Sequence, residues 1–243
     1  MSKPSSGPGR RSGSLKPAAS VLVPVLAVAI ASCNAKPSPT IFSHGPRDAP
    51  RVALTFDACS SAGVNRLDEP LLRALEKADI PATIFLGGIW MERLPDAVRR
   101  LAANRRLELG LHGWDHRHLD RLTEAELRAH LTKSRDVFRR LTGRKPRLFR
   151  PPFGIASARD ARIAAEAGFV CVTFDLASGD ADPKFTKEIL TRYVVRSAQN
   201  GSVIIFHMNR RGHATADSLP GIVAGLMARG FTLVTVGEML ARR

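Results

Sequence analysis

Two histidines four residues apart give this sequence its clearest potential for metal chemistry. His112 and His116 lie within residues 108–120, ELGLHGWDHRHLD. In one helical turn or a tight loop, this spacing places two imidazoles about 6 Å apart along the chain. Converging imidazoles are the commonest beginning of a zinc-type site. The same pair could be ordinary surface or core histidines, so the interpretation depends on what the rest of the chain brings to them.

Short apolar runs alternate with amphipathic stretches from residue 51 onward, which predicts strands alternating with helices. The clearest helix is predicted to begin at Thr123, which forms a capping box with Glu126, and to end at Gly143. Two more helices are predicted to begin at Asp68 and Ser157. Seven strands are predicted, at residues 52–56, 82–86, 107–111, 147–149, 169–174, 202–207 and 231–235.

Seven strands in this alternation predict a parallel α/β fold, either a barrel or a doubly wound sheet. Functional side chains of such folds gather at the carboxyl ends of the strands. Polar side chains follow five of the predicted strands, and each alone could have a structural role. Their matching positions predict one shared site, built from Asp57, His112 with His116, Arg150, Asp175 with Asp180, and His207.

The motifs at these strand ends resemble the successive motifs of the polysaccharide deacetylase family, carbohydrate esterase family 4. They read LTFDACS, ELGLHGWDHRHL, LFRPPFG and IIFHMN, and the resemblance covers roughly residues 51–240. It implies a distorted (β/α) barrel of about seven parallel strands. It also implies metal-dependent removal of N-acetyl groups from a GlcNAc-containing glycan, a chitooligosaccharide or peptidoglycan, with release of acetate.

The resemblance also assigns roles to individual residues. The implied cofactor is a divalent metal, and zinc is expected. The roles are general base for Asp57, metal ligand for His112 and His116, positioning of the base for Arg150, general acid for His207, tuning of that acid for Asp180, and shaping of the substrate groove for Pro151, Pro152 and Phe153.

The sequence departs from the family pattern directly after the expected base. The family usually has a second aspartate there, which completes the metal site, whereas this chain has Ala58. Asp57 itself or Asp68 could serve as the third ligand, and Ala58→Asp is expected to tighten metal binding. The alternative is a non-catalytic carbohydrate-binding envelope lipoprotein that has lost the metal. The retained acid–base residues favour an enzyme.

The amino-terminal region is expected to direct export. Residues 1–32 predict a lipoprotein-type signal peptide, Cys33 the lipid attachment, residues 33–50 a linker and residues 51–243 the catalytic domain. A signal peptide without lipidation and a twin-arginine signal at Arg10 and Arg11 are the alternatives. The expected location is the bacterial cell envelope, with the chain attached to the membrane through its lipid. A monomer is expected.

The net charge is +15, and +11 would remain after loss of the four basic residues that precede Cys33. That charge favours anionic surroundings such as envelope polymers or lipid headgroups. It does not indicate nucleic-acid binding, because no basic stripe with aromatic partners is present. A disulfide between Cys59 and Cys171 is not expected either. Cys171 should lie about 13 Å deeper along its strand, whereas a disulfide requires Cα atoms within about 7 Å.

Overall fold

A parallel β-sheet curled into a half-barrel forms the centre of the protein. The structure is a computed structural model that describes residues 40–60 and 66–241. The predicted signal peptide, residues 1–32, and the predicted lipid attachment at Cys33 therefore lie outside the described residues. No helix among the described residues is long and apolar enough to cross a bilayer.

All ladders between the named strands of this sheet are parallel. The order across the sheet is β1-β6-β5-β4-β3-β2-β8-β7, and β9 pairs with the beginning of β2. This arrangement confirms the predicted fold class. The strands are β1 (Ile41–Phe42), β2 (Arg51–Ala58), β3 (Ala82–Leu86), β4 (Leu107–Leu111), β5 (Leu148–Phe149), β6 (Val170–Val172), β7 (Leu176–Ala177), β8 (Val203–His207) and β9 (Thr232–Leu233).

The helices cover the sheet and begin where the capping residues predict. Thr123 and Glu126 form the expected capping box, and Gly143 ends that helix in the left-handed region with φ 68°. Asp68 and Ser157 cap the two other predicted helices. The helices are α1 (Glu69–Ala78), α2 (Gly88–Arg93), α3 (Pro95–Ala103), α4 (Glu124–Thr142), α5 (Ala158–Glu166), α6 (Lys187–Ser197), α7 (Thr215–Ala228) and α8 (Val236–Leu240).

The central strand β2 carries the register that matters for the site. Its neighbours are β3 and β8, and Asp57 stands opposite Phe85 on one side and His207 on the other. Seven of the eight residues of β2 are buried, as is typical of a central strand in a parallel sheet that is covered on both faces. The last residues of β2 and β8 therefore present their polar groups at the same end of the sheet.

The predicted linker, residues 33–50, extends too far into the folded domain. Phe42 is 1% exposed, and β1 pairs with β6 through Ile41 opposite Cys171. Farther along, His44 forms an antiparallel bridge to Ser202, directly before β8. Two residues of β1 are too few to show a strand pattern in sequence. Residues 40–50 thus belong to the domain, because they bury an aromatic side chain and complete backbone hydrogen bonds of the sheet.

Candidate active site

Four strands deliver the polar residues of the site at their carboxyl ends. Asp57 is the seventh residue of β2, His112 follows β4, Arg150 follows β5 and His207 ends β8. The structure does not bring Asp175 into this group. Its carboxylate accepts hydrogen bonds from Arg47, Ser202 and the backbone N–H of Val203 near the beginning of β8, and it has a structural role.

Arg150 holds the carboxylate of Asp57 in the interior of the domain. Its Nη1 donates to Asp57 Oδ1 at 2.9 Å, and its Nη2 donates to the carbonyl oxygen of Thr173 at 3.1 Å. The guanidinium also lies 4.1 Å from the centre of the Phe85 ring. Burial alone would raise the pKa of the Asp57 carboxyl, but His112, Arg150 and the hydrogen bond outweigh it and lower that pKa. Asp57 is therefore a fixed carboxylate.

The two histidines present neutral imidazoles to the same space. His112 Nδ1 lies 3.0 Å from the carbonyl oxygen of Arg150, which can only accept. Nδ1 therefore carries the proton, and the Nε2 lone pair, 3.5 Å from Asp57 Oδ2, faces the site. The ring centres of His112 and His116 are 5.2 Å apart. Burial lowers the pKa of His112, and burial together with His112 lowers the pKa of His116 to about 4.

A cysteine, Cys59, lies beside the two histidines, and the three side chains together could hold a metal ion. The ligand atoms of Cys59, His112 and His116 all lie within 4.8 Å of one another. The family motifs assign no role to Cys59, and its sequence position was weighed only for a disulfide. The signal available was its position two residues after Asp57, because alternate residues of an extended strand face the same side. The structure describes Cys59 and Cys171 as free thiols.

The two carboxylates considered as the third ligand have other partners. Asp68 accepts a hydrogen bond from the backbone N–H of Leu71 at 3.1 Å and caps α1. Asp57 is paired with Arg150. Neither belongs to the group of mutually close ligand atoms, and Ala58 is fully buried in the hydrophobic core. Among the described residues, the thiol is thus the side chain placed to join the two imidazoles.

The thiol of Cys59 has a defined environment. Burial, followed by the charge of Asp57, raises its pKa to about 12, so the thiol keeps its proton at neutral pH when no cation is bound. Asn209 Nδ2 donates to the Cys59 carbonyl at 2.8 Å and lies 3.4 Å from Sγ. Asn209 is 3% exposed. The amide therefore fixes the backbone of Cys59 and offers a donor to its sulfur.

His207 and Asp180 form a second pair beside Asp57. His207 Nδ1 lies 2.8 Å from Asp180 Oδ1. The other carboxylate oxygen accepts from the His207 backbone N–H and from Thr215 Oγ1, both at 2.8 Å. Because an ionised carboxylate only accepts, Nδ1 carries a proton and Nε2 remains for chemistry. Thr215 is a contributor that sequence analysis missed, since it lies on α7, away from the strand ends.

Of the three predicted groove residues, only Phe153 presents an exposed side chain. Pro151 and Pro152 are buried, whereas Phe153 is 44% exposed. Its φ is 62°, in the left-handed region that a non-glycine residue seldom adopts. The ring stacks on His118 at a centroid distance of 4.0 Å and meets His116 edge-on at 4.4 Å. Phe153 therefore covers one side of the histidine pair, and the prolines fix the turn beneath it.

His130 supports the loop that carries the two site histidines, a role that sequence analysis missed. Its Nε2 accepts the Trp114 backbone N–H at 2.6 Å, and its Nδ1 lies 3.6 Å from Asp115. Lys133 Nζ lies 3.7 Å over the Trp114 ring. Burial lowers the pKa of His130 to about 4, so it acts as a neutral acceptor. A buried histidine on an amphipathic helix gives no sequence signal of such a contact.

Comparison with known proteins decides the family. Residues 44–172 match the family model described as polysaccharide deacetylase. The chain belongs to the polysaccharide deacetylase family. A peptidoglycan-N-acetylglucosamine deacetylase of Bacillus cereus is 30% identical over 197 residues, which cover 80% of this chain and 70% of that relative. The resemblance drawn from the four motifs is thereby confirmed.

Solved structures support the same fold. The Bc1960 peptidoglycan N-acetylglucosamine deacetylase is 27% identical, with a TM-score of 0.75 over 82% of this chain and 92% of that one. BA3943 of Bacillus anthracis, described as a CE4 family pseudoenzyme, is 24% identical, with a TM-score of 0.76 over 84% of this chain and 69% of that one. At that identity the second likeness shows the fold alone. The family thus contains both enzymes and a protein described as a pseudoenzyme.

Proposed function

We propose that this polysaccharide deacetylase family member is a metal-dependent hydrolase that removes N-acetyl groups from GlcNAc-containing glycan and releases acetate. The observation that carries the proposal is the register of β2 and β8, which sets Asp57 opposite His207. One residue is held as a carboxylate by Arg150, and the other is held by Asp180 with Nε2 free. A base and an acid therefore face one reaction space, as amide hydrolysis requires.

The residues present fit a divalent cation. His112 and His116 offer neutral imidazoles, and the Arg150 carbonyl fixes the tautomer of His112. Cys59 lies within 4.8 Å of both. We propose that the cation is zinc, held by the two histidines. When bound, such a cation polarises the acetyl carbonyl and makes a water more acidic.

The chain's own residues move the protons of the reaction. Asp57 Oδ2, beside His112, takes a proton from the attacking water, while Arg150 keeps the other carboxylate oxygen in place. His207 Nε2 then gives a proton to the amide nitrogen, which otherwise leaves poorly. Asp180 holds the His207 ring in place through Nδ1 during that transfer. The products are acetate and a glucosamine unit.

The proposed substrate is the glycan strand of peptidoglycan, with chitooligosaccharide as the second candidate. The relatives that support this choice are named peptidoglycan-N-acetylglucosamine deacetylases. Phe153 supplies an exposed ring beside the histidines, against which a sugar face can pack. We further propose that the protein is exported and attached to the cell envelope by a lipid on Cys33.

A second candidate function is carbohydrate binding without catalysis. The observation that favours it is Ala58, where the family usually has an aspartate ligand. Arg150, Asp180 and Thr215 favour the enzyme, because a binding protein has no need for an ordered acid–base pair.

Acetate release from defined chitooligomers and from peptidoglycan tests the proposal, with metal content measured in the same preparation. The wild type should release acetate, and a chelator should abolish release. Asp57→Asn should lower the rate by about 10²–10⁴. The matched control Asp136→Asn, an exposed aspartate on α4, should behave as wild type. Glycan binding with no acetate from either substrate, at full metal occupancy, would establish the binding protein instead.

A further inference from the structure

The thiol of Cys59 has the position of a metal ligand. Its Sγ lies with the imidazole nitrogens of His112 and His116 in a group whose members are all within 4.8 Å. Ligand atoms on one tetrahedral zinc are about 3.3–3.6 Å apart, given Zn–S and Zn–N bonds of about 2.3 and 2.0 Å. Small side-chain rotations close the remaining gap. Cys59 is 2% exposed, so the sulfur faces this group and not solvent.

The geometry of β2 explains why residue 59, and not residue 58, meets the histidines. Successive side chains of a strand point to opposite faces. Asp57 faces His112, and Ala58 packs in the hydrophobic core. The next side chain, Cys59, returns to the face of Asp57. A ligand placed at 59 therefore leaves Asp57 free to act as base alone.

Hydrogen bonds from neighbouring groups fix two of the three proposed ligands, Cys59 and His112. Asn209 Nδ2 contacts the sulfur at 3.4 Å and the Cys59 carbonyl oxygen at 2.8 Å. On the other side, the Arg150 carbonyl accepts from His112 Nδ1. Outer hydrogen bonds of this kind orient metal ligands and stabilise a thiolate. Asn209 comes from the loop after β8, so the site draws on a fourth chain segment besides those of Cys59, His112 and Arg150.

We propose that Cys59 is the third protein ligand of the metal and that this chain builds a Cys-His-His centre. Binding of the cation displaces the thiol proton to solvent, and the thiolate sulfur forms the bond to the metal. A soft thiolate with two imidazoles selects zinc over harder cations such as Mg²⁺ or Mn²⁺. The fourth position stays open for water or substrate. This inference rests on the proposed metal-dependent function.

Cobalt substitution of the full chain reports the sulfur directly. The Co²⁺-loaded wild type should show a thiolate-to-cobalt charge-transfer band in the near ultraviolet. Cys59→Ser should lose the band and bind zinc at least tenfold more weakly. The matched control Cys171→Ser removes the other described buried thiol and should keep both properties. Cys59→Asp restores an anionic ligand, so it should bind metal without the band.

A measurement on the wild type keeps the proposal falsifiable if Cys59 variants fold poorly. X-ray absorption at the zinc edge should show one sulfur neighbour at about 2.3 Å together with nitrogen or oxygen neighbours. Absence of that sulfur, or a charge-transfer band that persists in Cys59→Ser, would overturn the assignment.

These readouts separate the ligand assignment from the proposed reaction. A sulfur-bound zinc in a chain that releases no acetate would contradict the deacetylase and leave the Cys-His-His centre intact. If the wild type releases acetate and Cys59→Ser binds zinc as tightly as the wild type, the Cys-His-His centre is contradicted and the deacetylase stands.

Discussion

Arg150 donates a 2.9 Å hydrogen bond to Asp57 in the interior of the domain, with the two side chains 0% and 4% exposed. A buried pair of this kind makes each partner costly to remove, because the charge left behind has no compensation. The same bond that holds the proposed base in position is therefore also a structural requirement of the interior.

Arg150→Met should lower the free energy of unfolding by about 3–5 kcal/mol, measured by urea denaturation at neutral pH. Arg99→Met is the matched control. Arg99 pairs with Asp96 at the surface, with side chains 58% and 95% exposed. Such exposed pairs contribute less than about 1 kcal/mol. Equal losses in the two variants would contradict the buried pair as the source of stability.

His207→Ala should reduce acetate release by about 10²–10⁴ without changing the zinc content. The reason is that His207 is bonded to Asp180 and lies outside the group of metal-ligand atoms. Metal analysis and initial rates on one preparation check both parts. Loss of zinc in this variant would make His207 a ligand and remove its role as acid.

Ala58→Asp should destabilise the fold and should not tighten zinc binding. Sequence analysis predicted tighter binding, but Ala58 is 0% exposed within the main hydrophobic cluster. A carboxylate there loses hydration without gaining a partner, at a cost of at least about 2 kcal/mol. Zinc titration and urea denaturation check this, with Ala58→Asn as the uncharged comparison. A stable Ala58→Asp variant with zinc affinity raised tenfold would restore the earlier expectation.

His130 should make the fold less stable in mild acid. Burial holds its folded pKa at about 4, below the ordinary value of about 6.5 that the unfolded chain has. The unfolded state therefore takes up the proton first. Stability is complete above pH 6.5 and falls as the pH drops toward 4, by about 2 kcal/mol at pH 5.

Urea denaturation of wild type and His130→Gln at pH 7.5 and pH 5 checks this prediction. Glutamine can still accept the Trp114 N–H but does not titrate in this range. Between pH 7.5 and pH 5, the variant should lose about 2 kcal/mol less stability than the wild type. His112 and His116 are present in both proteins, so their titration cancels in the comparison. Identical losses would rule out His130 as the source.

Cys33→Ser should release the protein from membranes. Mass spectrometry of the membrane-associated wild type should find a lipid-modified Cys33 at the amino terminus. The prediction depends on the sequence, in which small residues precede this cysteine after an apolar run. An unmodified amino terminus at another residue would contradict both the anchor and the predicted boundary at residue 32.

The sequence predicted β3, β4 and β8 because each of these five-residue strands is mostly apolar and buried. It missed β1 and β7, which have two residues each and carry no periodicity. The two-residue strands β5 and β9 were predicted because they lie within the longer runs 147–149 and 231–235. The motif positions placed Asp57, His112 and His207 at one end of the sheet. The family motifs assign no role to Cys59, and its position two residues after Asp57 was the one signal, which holds only because the chain stays extended past the last residue of β2.

The position of β1 in the sequence limits the distance between the folded domain and the proposed lipid anchor at Cys33. From Cys33 to Ile41 there are eight residues, which span at most about 26–29 Å when fully extended. They join the domain through β1, which runs parallel to β6 and so enters from the amino ends of the strands. The candidate site lies at the carboxyl ends. Within the described residues, the chain thus begins on the side of the sheet that faces away from the candidate site, and a polymer substrate would approach from the opposite side.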